Sequence, residues 1–207
     1  MNYFNWMLKI KNGDLDKTIE AIKECDDEVL KSKLIADLKQ HFAKKYNVDV
    51  KDVFFGDYRD SSLKKSYRGF PYKVVVGDIT FLDKNTDASN LKAVVGKLTA
   101  KRTTIFPELE YAKEIDFNGG IIESLPKLKE VGVFNAEKVN LKEFALKKAK
   151  VLNLKYATIS DFHVTSVENY NLDFTRYMNM ESGRKAGALI DKMNKHKKRA
   201  NIDPNIL

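Results

Sequence analysis

Between residues 75 and 175 one short pattern recurs about six times: an apolar residue, a small polar residue, and a second apolar residue. The triplets are Ile79-Thr80-Phe81, Leu98-Thr99-Ala100, Ile115-Asp116-Phe117, Phe134-Asn135-Ala136, Leu152-Asn153-Leu154 and Tyr170-Asn171-Leu172, spaced by 19, 17, 19, 18 and 18 residues. Alternation of this kind is the signature of a strand with one face buried and one face wet. A further apolar residue follows the triplet in three repeats, at Ile105, Ile122 and Ile159, and a second in five, at Leu91, Leu109, Leu125, Phe144 and Phe162. One strand per coil would turn its two apolar side chains inward, and the later residues would close the coil from the opposite wall. A coil of this length cannot bury its apolar face alone, whereas a stack of six makes a continuous core. Gly77, Gly96 and Gly132 stand just before three triplets, where the chain needs a sharp corner.

The segments that link these strands carry a resemblance. Leu125-Pro126-Lys127-Leu128-Lys129-Glu130-Val131-Gly132, Asn90-Leu91-Lys92-Ala93-Val94-Val95-Gly96 and Pro107-Glu108-Leu109-Glu110-Tyr111-Ala112 resemble the linking halves of short leucine-rich-like repeats from bacteria and their phages. The resemblance covers about half the chain. It departs from that family in lacking a regular Leu-x-x-Leu-x-Leu frame, and its asparagines fall between the inward residues rather than after the strand. The resemblance implies a right-handed solenoid with a curved parallel sheet of about six short strands, an α+β architecture, and a partner-binding role.

The flanks read as caps. Leu15, Ile19 and Ile22 recur at helical spacing after Gly13-Asp14, and Asp26-Asp27 starts a second helix striped by Leu30, Leu34, Leu38 and Phe42 and ending near Tyr46-Asn47. The opening Tyr3, Phe4, Trp6 and Met7 are expected to pack on these helices. Val53-Phe54-Phe55 and the segment from Tyr67 to Tyr72 read as an irregular connection docking aromatic rings on the first coil. Ala186, Leu189, Ile190 and Met193 make an amphipathic helix of about 181 to 198, and the residues after 200 are expected to fray. The expected organisation is a helical cap over 1–47, a connection over 48–74, the solenoid over 75–177, and a C-terminal helix and tail over 178–207.

Composition narrows the function classes. No apolar run approaches a membrane span, the N-terminus lacks the order of a signal peptide, and the single Cys25 suits a reducing cytoplasm. The formal net charge is +8, and its densest stretch is Arg184, Lys185, Lys192, Lys195, Lys197, Lys198 and Arg199 against Asp191 alone. Such a helix fits nucleic acid, and it equally fits a solvated face whose cations favour the negative end of the helix dipole.

Signals for chemistry are few. Of the three histidines, His41 and His196 lack partners at metal-ligand spacing, Asn118-Gly119-Gly120 is too short to cradle a phosphate, and Cys25 has no base positioned by a motif. Asp161 and His163 would share a strand face, but no nucleophile accompanies them. No enzyme, cofactor or metal is therefore expected.

The outward strand positions are the candidate partner surface: Thr99, Asp116, Asn135, Asn153 and Asn171 in the central column, with Lys101, Glu137 and Lys155 beside it. The flanking column before the triplets reads Asp78, Lys97, Glu114, Val133, Val151 and Asn169. Stacked short polar side chains can also simply bond to one another. Mixed charge without large aromatics suits a protein partner better than a nucleic-acid groove. The leading expectation is a cytoplasmic, non-enzymatic interaction module, in one form a phage-encoded inhibitor of a host protein. The alternative is a nucleic-acid-associated protein using the basic helix. Both monomer and homo-oligomer stay open.

Overall fold

The computed structural model of the chain describes residues 15–59, 69–82, 87–100, 106–119, 122 and 124–202, the last seven by their backbone alone. The Tyr3 to Met7 cluster, Lys101, Ile105 and the tail beyond 202 lie outside the described residues.

Three helices and eleven strands are formed among the described residues. The helices are α1 (Leu15–Lys23), α2 (Glu28–Tyr46) and α3 (Met180–Ile202). The strands are β1 (Val53–Phe55), β2 (Tyr58–Arg59), β3 (Val74–Val76), β4 (Ile79–Phe81), β5 (Ala93–Ala100), β6 (Tyr111–Asp116), β7 (Ser124–Leu125), β8 (Glu130–Asn135), β9 (Asn140–Asn153), β10 (Thr158–Asn171) and β11 (Arg176–Tyr177). Every strand pairing among the described residues is parallel, and each strand pairs with its counterpart one coil away. The result is a parallel β-solenoid of about six turns.

The triplets lie in one register. Ile79 pairs with Leu98, Leu98 with Ile115, Ile115 with Phe134, Phe134 with Leu152, and Leu152 with Tyr170. Their polar centres stay half-exposed, and their flanking residues are buried in every triplet but the last, which the stack leaves half-covered. The strands differ from the expected six short ones. β9 and β10 run 14 residues each and turn corners without leaving the sheet. Along β9 the buried positions Leu141, Phe144, Leu146, Ala149 and Leu152 are interrupted by two adjacent exposed pairs, Lys142-Glu143 and Lys147-Lys148. Two successive outward residues break strict alternation and redirect the chain, so one strand spans several walls of a coil.

Phenyl rings fill the interior. Phe81, Phe106, Phe117, Phe134, Phe144 and Phe162 follow one another at centroid distances of 5.9, 5.6, 6.1, 4.8 and 6.2 Å, ending against Tyr177 at 5.6 Å. All six phenylalanines are fully buried. At the other end Phe54, Tyr58, Phe70 and Tyr72 extend the series onto the first coil. β1 and β2 join the same sheet there, paired with β3 and β4.

A second core lies outside the coils. Val75 and Val94 face the interior, while Val74, Val76, Ala93 and Val95 are buried against Ile19, Ile22, Leu34, Leu38 and Phe42 of α1 and α2. A strand covered on both faces reads as an unbroken apolar run, which is what Val74-Val75-Val76 is. Asp27 starts α2 as its N-cap, accepting from the Val29 and Leu30 N–H groups at 3.0 Å each, and Asn47 ends it at φ 51°. α3 plugs the opposite end with Ala186, Leu189 and Met193. Its first turn also satisfies the last strand: the Phe162 N–H donates to Ser182 Oγ at 3.1 Å, and that hydroxyl donates to the Ser160 carbonyl at 3.0 Å. Open strand edges invite unwanted pairing, and these caps remove part of one.

Among the described residues two phenols are buried in these joints without hydrogen-bond partners, Tyr46 at the end of α2 and Tyr177 at the end of the phenyl series. Burial pushes Tyr177 up to about 12, and pushes Tyr46 further still with help from Tyr111, Glu130 and Glu110. Because the folded values exceed the ordinary value of about 10, their contribution to stability is present below about pH 10 and is lost as pH rises through the folded values. Tyr46→Phe is therefore expected to flatten the alkaline loss of stability in urea melts between about pH 9 and 11, with neutral-pH stability unchanged or raised by up to about 1 kcal/mol. An unaltered alkaline profile would refute the assignment.

Candidate partner-binding surface

The stack brings Thr99, Asp116, Asn135, Asn153 and Asn171 into the single column expected of them, with Glu137 and Lys155 alongside. Their hydrogen bonds go mainly to the chain itself. Asp116 accepts from the Asn118 N–H at 3.3 Å, Asn153 from the Lys155 N–H at 3.3 Å, and Asn171 from the Asp173 N–H at 3.1 Å. These two-residue Asx turns bend the chain at the end of each strand. The Asn118 side chain then accepts from the Glu137 N–H of the next coil at 2.9 Å. The column builds corners first, and offers a partner only what those bonds leave over.

Charges on the walls are also committed. Each described lysine from 73 to 138 has a carboxylate within ion-pair distance. Lys129 meets Glu110 at 2.7 Å, Lys127 meets Glu108 at 2.6 Å, and Lys97 meets both Glu114 and Asp116, at 2.7 and 3.0 Å. These pairs link neighbouring coils, and the two carboxylates hold the Lys97 ammonium above its ordinary value. At the first coils a comparable ladder uses aspartates: the Asp57 carboxylate accepts from the Asp78 N–H at 2.9 Å, and the Asp78 carboxylate from the Lys97 N–H at 2.8 Å. The Asp78 N–H, more than Lys23, holds Asp57 below the usual carboxylate range.

The corner that follows the triplets turns through left-handed backbone in four successive coils, at Gly119, Lys138, Tyr156 and Phe174, with φ 70°, 60°, 58° and 55°. Glycine adopts that conformation freely, whereas an aromatic residue there costs about 1–2 kcal/mol. In the last two coils the strained residues are exposed and stacked on each other. Tyr156 and Phe174 are 45% and 70% exposed, with ring centroids 5.0 Å apart and planes at 9°. Lys155 Nζ sits 5.3 Å from the Tyr156 ring centre. A shallow cavity of about 450 Å³ beside the stack is lined by Thr158, Thr175 and Arg176. Met178, 67% exposed, follows on the same coil, and Met180, 80% exposed, opens α3. Sequence reasoning passed over these residues, although Phe174 occupies the place held by Gly119, which was a usable signal.

Asp161 and His163 do share a strand face, with Asp161 Oδ1 2.9 Å from His163 Nε2. Lys185 Nζ lies 3.3 and 3.4 Å from the two ring nitrogens and pairs with Glu181 at 2.8 Å. Through Lys185 the cluster ties α3 to β10. Lys185 holds Glu181 below the usual carboxylate range. Of the basic helix positions, Arg184, Lys192 and Lys195 make no ion pair among the described residues, and Lys197, Lys198 and Arg199 lie where only the backbone is described. Cys25 is half-buried just before α2, its thiol 3.6 Å from the Asp27 carbonyl. Among the described residues no cluster of His, Cys, Asp and Glu is arranged to hold a metal, and no helix is long and apolar enough to cross a membrane. No family model, curated protein or solved structure matches the chain.

Proposed function

We propose that this chain is a non-enzymatic protein-interaction module, a leucine-rich-repeat-like solenoid that meets its partner with the C-terminal end of the coil stack. The observation that carries this reading is the Tyr156–Phe174 stack. Two bulky aromatics are held in strained backbone and left facing solvent, at a corner where glycine would fold more easily. Strain and exposure together are retained where a contact repays them. Aromatic residues, methionine and arginine are also the side chains enriched in protein interfaces, and Tyr156, Phe174, Met178, Met180 and Arg176 supply them in the last two coils and the start of α3. On this reading the central-column residues shape the scaffold. Inhibition of a host protein by a phage-encoded solenoid in the host cytoplasm is the form of this role that the sequence resemblance favours.

The test is affinity capture from the native host, comparing the wild-type chain with Phe174→Ser and with Asn135→Ala. A partner enriched by wild type and by Asn135→Ala, but depleted about tenfold or more by Phe174→Ser, is the expected result. Equal capture by wild type and Phe174→Ser would move the contact elsewhere. Loss of capture with Asn135→Ala alone would restore the central column as the site.

A further inference from the structure

We infer a second binding surface, distinct from the aromatic stack: a groove for the phosphate backbone of duplex nucleic acid, formed where β9 and β10 meet α3. Among the described lysines of the coil walls the ion-pair pattern is lost in the second half of β9. Those described from Lys73 to Lys138 are neutralised by carboxylates at 2.6 to 3.9 Å. Lys147, Lys148 and Lys150 of β9 are exposed and make no such pair among the described residues. Glu130 is the strand neighbour of Lys148 and still makes no ion pair with it.

One coil further on, the positions facing Lys147 and Lys148 carry small hydroxyls, and the position facing Lys150 carries Glu168. Ser166 pairs with Lys148 and Val164 with Leu146, which places Thr165 beside Lys147. Adjacent strands lie about 4.8 Å apart, so ammonium and hydroxyl groups alternate along this corner at close spacing. Thr165 also lines the groove between β10 and α3, a cavity of about 340 Å³ walled by His163, Lys185 and Lys192. Lys192 is exposed and unpaired among the described residues, whereas Lys185 is partly committed to Glu181 and His163.

Lysine ammonium groups interleaved with threonine and serine hydroxyls are the donors that contact phosphate oxygens. The only ring system inside the groove besides His163 is the buried Phe162, so no platform is offered for stacking unpaired bases. This points to backbone contact with a duplex, without base readout. An acidic protein surface would share the charge and lacks the regular phosphate spacing, so it is made an arm of the test.

The test measures fluorescence anisotropy of a labelled random-sequence DNA duplex of about 20 bp with the full chain, across about 50 to 200 mM salt. With four lysines engaged, the affinity is expected to fall with a log–log slope of about −3 to −4. Lys147→Glu with Lys148→Glu is expected to weaken binding at least about tenfold and to make the slope shallower by about 2. Lys127→Glu, a committed lysine on the same stack, serves as the control for net charge. Binding that the control weakens as much as the double variant would overturn the groove, as would no duplex binding at the lowest salt. A polyglutamate peptide of equal charge that competes as well as unlabelled duplex would overturn the duplex assignment. Should the double variant fail to fold by circular dichroism, Lys150→Ala with Lys192→Ala is read by the same criteria. The Phe174→Ser variant is expected to bind duplex normally, which separates this groove from the protein-binding end.

Discussion

Phe144→Ala is expected to destabilise the protein by about 3–5 kcal/mol, measured as a lowered urea midpoint with little change in slope. Phe144 is fully buried, and its ring shares the shortest contact of the phenyl series, 4.8 Å from Phe134, with Phe162 at 6.2 Å on the other side. Truncation removes the burial of a whole ring and leaves a void that three coils must close together. The backbone resists that collapse, because Phe144 is fixed by parallel pairing to Leu125 on one side and Phe162 on the other. In a stack whose coils touch mainly their neighbours, the loss is also local. Hydrogen exchange is therefore expected to rise most in β8 to β10 and least in α1 and α2, whose core is separate. Uniform loss of protection would show that the two cores unfold as one.

The stack was legible because its signal is periodic and its coil length nearly constant. Once Ile79 is aligned with Leu98, each later triplet falls into place at an offset of 17 to 19 residues, and a slip of one residue would turn each triplet inside out. The extra strands were not legible from triplets alone. In β9 the walls meet at Lys142-Glu143 and Lys147-Lys148, where two polar residues in succession look like a loop although the sheet continues through them. The second core was half visible: Val74-Val75-Val76 announces burial on both faces without saying what covers the outer one. The candidate surface was least legible. Asn153 and Asn171 look the same whether their amides face a partner or accept from the backbone two residues on, and only the conformation of the corner decides between these. Likewise Phe174 reads as one more apolar residue until its backbone angle and exposure are known together.

Gly77→Ala is expected to be among the most damaging single substitutions in the chain, with a loss of about 3 kcal/mol or more, because two costs coincide at that corner. Gly77 has φ +145°, a conformation that side chains rarely adopt, and a Cβ there would lie 2.3 Å from the Gly56 carbonyl oxygen of the preceding coil. The obstacle is backbone, so no side chain can swing aside. The position is also held from both sides, since the Gly56 N–H donates to the Val76 carbonyl at 3.0 Å and a Cβ on Gly96 would meet the Gly77 carbonyl oxygen at 2.3 Å. Relief would require separating coils that parallel pairing holds together. Gly119→Ala gives the milder cost of left-handed backbone where no clash accompanies it. Its φ is +70° with nothing within 4 Å of the added methyl, and the same corner position accepts lysine, tyrosine and phenylalanine in later coils. Only about 1 kcal/mol is expected there. Urea melts of the two variants side by side compare a corner where the added methyl clashes with one where it does not. Equal midpoints would mean that the Gly56–Gly77 contact yields easily and that the corner is softer than its geometry implies.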